Sequence, residues 1–141
     1  VFSATLIGIT LGISAGFIGG WTDRIISSII DFFYAVPYLL IMLVGITILG
    51  RETWVVIVFI SFARWHDTAR LVRGQVFSLR EVPAVEAAFA LGSSRWRVAF
   101  RHILPNLTSI IVVDMSIKFP SLNLLEYTLS FLGVGVQPPI A

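Results

Sequence analysis

The chain has 141 residues with a net charge of +2; 57% of them are hydrophobic and only 13% are charged. Soluble domains carry about 25% charged residues, so the charged fraction here is low. The mean hydropathy, +0.92, is high. This is the composition of a membrane protein. The absence of cysteine from these residues leaves neither a disulfide framework nor thiol chemistry to consider.

The first predicted element is an uncharged run over residues 2–20, close to the ~20 residues that a helix needs to cross a bilayer. Four glycines fall four residues apart on one face of this helix: Gly8, Gly12, Gly16 and Gly20. Small residues at this spacing allow another backbone to approach closely. We expect the face to pack within its own subunit; the alternatives are the wall of a transmembrane pathway and contact with a second subunit.

A short polar turn, Trp21–Arg24, precedes a second predicted span over residues 25–49. Pro37 is expected to kink this span. Asp31 lies near its start, and a carboxylate inside a membrane is a functional candidate by default. The alternative is that Asp31 lies at the membrane interface, near Arg24.

After a turn at Gly50–Thr53, only ten apolar residues run from Trp54 to Ala63, too few to span alone on the ~20-residue rule. We therefore expect a third span over residues 54–79 that continues through polar residues facing water or protein. Three polar residues lie in this continuation: Arg64, His66 and Asp67. Arg64 has two candidate ion-pair partners, Asp67 and Asp31.

Most of the basic residues lie together in the middle of the chain. Seven of the ten fall between positions 64 and 101: Arg64, Arg70, Arg73, Arg80, Arg95, Arg97 and Arg101. Because apolar spans flank this block, the excess of cytoplasmic arginine and lysine in membrane proteins explains it better than nucleic-acid binding does. The block therefore predicts a cytoplasmic segment, with the turn at Arg51–Thr53 on the outside.

The stretch from Pro83 to Asn106 is the longest part of the chain that cannot be a span. Pro83 suits the first position of a helix, where its missing N–H has no intrahelical partner. Glu86 then lies in the first turn, where a carboxylate interacts favourably with the helix dipole. The small residues Ala87 and Ala88 allow a partner surface to approach closely, and Gly92 suits the end of the helix.

A second amphipathic helix is predicted after Gly92, with Ser93 or Ser94 as its N-cap. Its apolar residues recur at helical spacing: Trp96, Phe100 and Ile103. Pro105 is expected to open a fourth span over residues 105–132.

Several polar residues and a proline interrupt this fourth span: Asp114, Lys118, Pro120 and Glu126. Asp114 and Lys118 have the spacing of a helical ion pair, although both are also candidates for a polar pathway. Pro120 is expected to break or kink the helix. The glycine- and proline-rich segment Ser130–Pro139 then predicts an outward-facing loop.

The Pro83–Asn106 stretch resembles the cytoplasmic coupling loop of ABC importer permeases. In that loop Glu-Ala-Ala, three residues and Gly are followed, after nine more, by Ile-x-Leu-Pro. The matching residues here are Glu86, Ala87, Ala88, Gly92, Leu104 and Pro105. His102 stands where the general pattern has isoleucine, and His-Ile-Leu-Pro-Asn resembles the dipeptide, oligopeptide and nickel branch.

Three further segments resemble the same branch: Ala69–Gln75, Leu129–Pro139, and Asp31 with Pro37–Leu40. The resemblance covers nearly the whole chain, and its motifs come in the right order. It implies an all-α integral membrane protein with the helical bundle of a type I ABC importer permease. About four spans and a coupling helix are then expected within 1–141, as a fragment that lacks one span at each end.

The resemblance also implies partners: a second permease subunit, two cytoplasmic ATPase subunits and an external solute-binding protein, in a prokaryotic inner membrane. The chain has no G-x-x-x-x-G-K-[ST] phosphate loop, so ATP and Mg²⁺ are expected on the partner subunits, with no cofactor, metal or catalytic residue here.

The resemblance implies that the Pro83–Gly92 helix docks in a groove of the ATPase. Glu86 would make the charged contact, Ala87 and Ala88 the close packing, and Gly92 the turn. Three more residues complete the expected loop: Arg95, Arg101 and His102. They would orient the second helix or contact lipid phosphate.

Two functions from other classes are weighed against the importer permease. An intramembrane enzyme would need a base such as His66 or His102, but no Ser-His or His-x-x-x-His arrangement accompanies them. A secondary transporter would use intramembrane carboxylates as ion sites: Asp31, Asp114 and Glu126. For an importer permease of this branch, the solute is expected to be a peptide or nickel.

Overall fold

The computed structural model describes residues 2–133 and 135. These residues form helices and turns without a strand. The helices described are α1 (Phe2–Ile18), α2 (Gly20–Ala35), α3 (Tyr38–Leu49), α4 (Thr53–Phe62), α5 (Trp65–Arg80), α6 (Pro83–Ala90), α7 (Arg95–Val98), a π-helical segment (Ala99–Ile103) and α8 (Leu104–Phe131).

The turn between α1 and α2 lies earlier than the sequence predicts. Gly19 and Gly20 have φ angles of 68° and 60°, a region that glycine enters without a steric penalty. The chain therefore reverses there, and Trp21–Arg24 is the first turn of α2 rather than a polar loop. Because Gly20 belongs to α2, it does not share the glycine face of α1, and that part of the prediction is wrong.

The predicted second span is two helices. α2 and α3 meet at an angle of 85°, with Val36 extended at φ −98° and ψ 122°. Proline disfavours a helical conformation in the residue before it, so Pro37 accounts for the extended Val36. The predicted kink is present, but it is large enough to end one helix and begin another.

The predicted continuous helix through Arg64 is also wrong. α4 ends at Phe62, and Arg64 has a left-handed conformation with φ 59°. Side chains from elsewhere bond carbonyl groups near the end of α4: the Tyr38 hydroxyl donates to Phe59, and the Ser3 hydroxyl donates to Ser61 at 3.1 Å. Such bonds satisfy carbonyls that lack a helical partner, which stabilises the interruption.

Neither Pro105 nor Pro120 ends a helix. α8 begins at Leu104 with Pro105 in its first turn, close to the predicted start of the fourth span. The π-helical segment joins α8 to α7, so Arg95–Phe131 is one helix of 37 residues, and Pro120 lies inside it without breaking it.

Most of the buried apolar residues form three clusters. The loop core joins α1, α5, α6, α7 and the start of α8 and comprises Phe17, Val72, Val76, Val85, Ala88, Val98, Ala99, Ile103 and Leu107. The distal core joins α3, α4 and the end of α8 and comprises Met42, Ile46, Val55, Val56 and Leu129. A third, small cluster lies between α1, α2 and α5 and comprises Ala15, Ile26, Ile30 and Ala69.

By length and composition, one helix of the described chain could cross a membrane, Arg95–Phe131, or two if α2 and α3 are counted together as a bent span. α1 is apolar but has only 17 residues. The predicted count of four spans is therefore not reproduced by helix length. Of the predicted outward segment Ser130–Pro139, residues 134 and 136–139 lie outside the described part of the chain.

Candidate functional site

Helix α6 packs one face against the rest of the chain and leaves the opposite face exposed. Val85 and Ala88 are 3% and 8% exposed and belong to the loop core. Glu86 and Ala87 are exposed. The sequence prediction placed Ala88 beside Ala87 on a partner-facing surface, and that is wrong, because residues 85 and 88 fall on the same inward side of the helix.

Local signals determine where α6 begins and ends. Pro83 occupies the first turn, after an extended Val82. At the other end Gly92 has φ 82°, and the Ser93 amide donates to the Ala88 carbonyl at 3.0 Å, a glycine-dependent helix ending. The helix is two residues shorter than predicted and ends at Ala90.

The second helix of the loop begins at a serine cap. The Ser94 hydroxyl accepts a hydrogen bond from the Arg97 amide at 3.3 Å. Four predicted loop residues then lie on one continuous helix, with Arg95, Arg101 and Pro105 exposed and His102 half-buried. Leu104, which completes the motif, is half-buried as well. Trp96 and Phe100 stack with ring centroids 6.2 Å apart and are mostly exposed.

The glycine face of α1 packs against α5. A Cβ at Gly8 would lie 2.5 Å from Thr68, and one at Gly12 would lie 2.7 Å from the Ala69 carbonyl. A Cβ at Gly16 would lie 2.8 Å from the Val76 side chain. The face is therefore occupied within the chain and supports the helix, α5, that leads into α6.

An ion pair within α8 is linked to α5 through Thr68. The Lys118 ammonium, in a residue that is 2% exposed, lies 2.7 Å from the Asp114 carboxylate. The Thr68 hydroxyl donates to the same carboxylate at 2.8 Å and contacts the ammonium as well. The predicted spacing of four residues thus brings Asp114 and Lys118 together, and Thr68 adds a contact that sequence spacing does not reveal.

A second polar group surrounds Asp67 at the start of α5. Arg64 donates to the Asp67 carboxylate at 2.6 Å, and the Tyr34 hydroxyl donates to it at 2.7 Å. Asp67 is therefore the partner of Arg64, and Asp31 is not. The His66 Nε2 atom lies 3.7 Å from the same carboxylate, and the His66 ring stacks on Phe33.

The two other carboxylates predicted as intramembrane candidates, Asp31 and Glu126, belong to neither polar group. Asp31 is exposed and Glu126 is half-buried, and neither forms an ion pair with another residue of the described chain. A pair that sequence reasoning missed joins Arg73 to Asp23, with 2.9 Å between Nη2 and Oδ2. The two residues are 50 positions apart, and no local pattern links them.

Comparison with known proteins shows the family. Residues 8–141 match the family model described as "Binding-protein-dependent transport system inner membrane component". The chain belongs to this family. It is also 39% identical over 140 residues to a glutathione transport system permease protein of Pectobacterium atrosepticum, with 99% of this chain and 46% of that protein covered.

Other members of the family are similarly related. The chain is 38% identical over 136 residues to an oligopeptide transport system permease protein of Bacillus subtilis, with 96% of this chain and 45% of the relative covered. It is 37% identical over 134 residues to a dipeptide transport system permease protein of Lactococcus lactis, with 95% of this chain and 39% of the relative covered. The chain thus spans less than half the length of these relatives. The predicted resemblance is confirmed, including the peptide-transport branch.

Proposed function

We propose that the protein is a membrane-spanning permease subunit of an ATP-driven importer and forms part of its translocation pathway. Family membership over residues 8–141 supports this. The names of the three relatives favour peptides as the solute over nickel. A second permease subunit, two cytoplasmic ATPase subunits that bind ATP and Mg²⁺, and an external solute-binding protein would complete the importer.

One observation carries the coupling role: α6 is fixed to the protein by one face and exposes a charged and a small residue on the other. Val85 and Ala88 anchor it in the loop core, while Glu86 and Ala87 are exposed. A short helix that seats in a groove of a partner needs this arrangement, because an anchored helix transmits displacement to the spans attached to it. Gly92 sets the turn that follows.

Arg95 and Arg101 are exposed on the helix that leads from the loop into the membrane. They would orient this helix through contacts with the ATPase or with lipid phosphate, and His102 would lie beside them. The loop would be cytoplasmic, in a multi-pass protein of the prokaryotic inner membrane. Its four crossings would comprise α1, the bent pair α2 and α3, the interrupted pair α4 and α5, and Arg95–Phe131.

The energy source tests this function against a secondary transporter. The complete importer is reconstituted in sealed vesicles and peptide uptake is measured with ATP on the ATPase side, with and without a protonophore. ATP-dependent uptake that survives collapse of the proton gradient is expected. Uptake that needs no ATP and stops with the gradient would contradict the proposal and favour intramembrane carboxylates as ion sites.

Single cysteines test the orientation. We expect a cysteine at Ser94 to react with a membrane-impermeant thiol reagent only when the cytoplasmic face is accessible, and one at Thr53 to react from the outside. Both positions are exposed in the chain, so failure to react reports on the membrane rather than on burial. Labelling at position 94 in intact cells would overturn the orientation.

A further inference from the structure

A cavity of about 340 Å³ lies beside two helix interruptions, between α2 and α3 and between α4 and α5. It borders the break at Val36–Pro37, the left-handed Arg64, and the part of α8 that follows Pro120. Its polar lining consists of Tyr34, Tyr38, Arg64, His66, Asp67 and Ser121.

A second cavity, of about 310 Å³, adjoins the first. Tyr34 and Asp67 line both, and Arg70, Leu71 and Asp114 complete the second. The two cavities therefore form one polar region on either side of the Tyr34–Asp67 hydrogen bond.

The charges of this region do not balance. Two cationic side chains, Arg64 and Arg70, and two carboxylates, Asp67 and Asp114, line the region. A third cation, Lys118, is buried behind Asp114. Each carboxylate already has a cation of its own, Arg64 for Asp67 and Lys118 for Asp114. The excess positive charge therefore lies at Arg70.

Arg70 has no acidic partner among the described residues. Its guanidinium lies over the Tyr34 ring, 5.0 Å from the centroid, and the side chain is exposed. Arginine donates two parallel hydrogen bonds to a carboxylate, and stacking on an aromatic ring leaves those donors free.

We propose that this region is a contact site for the transported solute, in which Arg70 binds the free carboxylate of a short peptide. This rests on the proposed peptide-importer function. The aromatic walls, from Phe33, Tyr34 and Tyr38, provide apolar contact for side chains of different shapes. Arg70 is then a binding residue that recognises what all free peptides share.

The test compares two probes, the dipeptide Ala-Ala and its C-terminal amide, in the full reconstituted importer. ATP-dependent uptake of both is measured for wild type, Arg70→Gln and Arg70→Lys. The external binding protein also discriminates between the probes, but its contribution is the same in every permease variant. It therefore cancels when the uptake of Ala-Ala relative to its amide in a variant is divided by the same quotient in wild type. Arg24→Gln is the matched control, because Arg24 is also exposed and also lies over an aromatic ring, 5.5 Å from the centroid of Trp21.

Arg70→Gln is expected to reduce the preference for the free dipeptide about tenfold, the effect of one lost charge-assisted hydrogen bond. Arg70→Lys should keep part of the preference, and Arg24→Gln all of it. An equal loss of uptake for both probes would overturn the inference, since it indicates a structural role or a lipid-phosphate contact for Arg70. An unchanged ratio would overturn it as well. If wild type takes up neither probe but takes up other peptides with ATP, this inference alone is overturned, because Arg70 is proposed to bind the carboxylate that all free peptides share. If wild type takes up no peptide with ATP, the proposed function fails as well.

Discussion

The loop around α6 and the junction between α4 and α5 both interrupt a helix, but for different reasons. In the loop, Pro83, Gly92 and Ser94 each have the chemistry that their position requires. At the junction, the chain turns at Arg64, which has a left-handed conformation without being glycine. Local chemistry determines the first interruption, whereas contacts with distant side chains stabilise the second.

The two regions are expected to have different roles, partner docking for the loop and solute contact for the junction. The loop is a fixed surface, because local signals and the loop core define it together. The junction depends on polar contacts with side chains of α1, α2 and α3, and cavities open beside it. We therefore expect changes at the junction to alter stability and solute contact, and changes on the outer face of the loop to alter partner docking alone.

The largest expected effect is at the ion pair next to the junction. Lys118→Met leaves the Asp114 carboxylate, which is 13% exposed, without its cation. Breaking a fully buried pair in this way costs roughly 3–5 kcal/mol, and we expect a loss toward the lower end of this range because the carboxylate borders a cavity. The measurement is the free energy of unfolding in detergent micelles. The double variant Asp114→Asn with Lys118→Met should recover much of the loss, because no uncompensated charge remains. A loss below about 1 kcal/mol for the single variant, the range of exposed pairs, would contradict the buried contact.

The next effect concerns the support of the loop by α1. At Gly12 even a Cβ would lie 2.7 Å from the Ala69 carbonyl and 2.8 Å from the Val72 Cβ. Overpacking of this kind costs about 1–3 kcal/mol, so Gly12→Leu should lower the free energy of unfolding by this amount. Gly74→Leu is the matched control, because Gly74 is a glycine of α5 at which an added Cβ would have no described atom within 4 Å. Equal stability of the two variants would mean that the α1–α5 contact is looser than described.

A smaller effect tests the local signals of the loop. Gly92 has φ 82°, and an added Cβ there would have no described atom within 4 Å. Gly92→Ala should therefore be disfavoured through the backbone alone, by roughly 1–2 kcal/mol. Gly74→Ala, in open space within a helix, should instead stabilise by about 0.5–1 kcal/mol. Thermal unfolding of both variants measures the contrast, and a neutral Gly92→Ala would contradict local control of this turn.

The sequence predicts the loop well because each of its signals acts on neighbouring residues. Pro83 starts a helix, Gly92 ends it and Ser94 caps the next one, as observed. The inward side of Ala88 was missed because the Glu-Ala-Ala pattern does not say which face is buried. Val85, three residues before Ala88, could have indicated it, since the two lie on one face.

The junction was predicted poorly because its causes are distant in sequence. The Tyr38 hydroxyl bonds the Phe59 carbonyl, and Tyr34 bonds Asp67, 33 positions away. Neither contact leaves a local pattern. The Asp114–Lys118 pair was predicted because both partners lie on one helix, while Arg73 and Asp23 are on different helices and were not linked.

The central claim is that the outer face of α6 docks on the ATPase, and retention of the ATPase by the permease tests it most directly. Purified importer carrying Glu86→Ala or Ala87→Trp is compared with wild type by pull-down of the ATPase subunits. Glu81→Ala is the control, an exposed acid that lies just before α6.

Loss of the charge-assisted hydrogen bond of Glu86 removes roughly 1.5–3 kcal/mol, which weakens association about tenfold or more. Tryptophan at position 87 should have a comparable effect through steric exclusion. Both variants should keep the free energy of unfolding within about 1 kcal/mol of wild type, because both side chains are exposed and a carboxylate in the first turn of a helix contributes only about 0.3–1 kcal/mol. Wild-type retention of the ATPase by Glu86→Ala and Ala87→Trp would contradict the account.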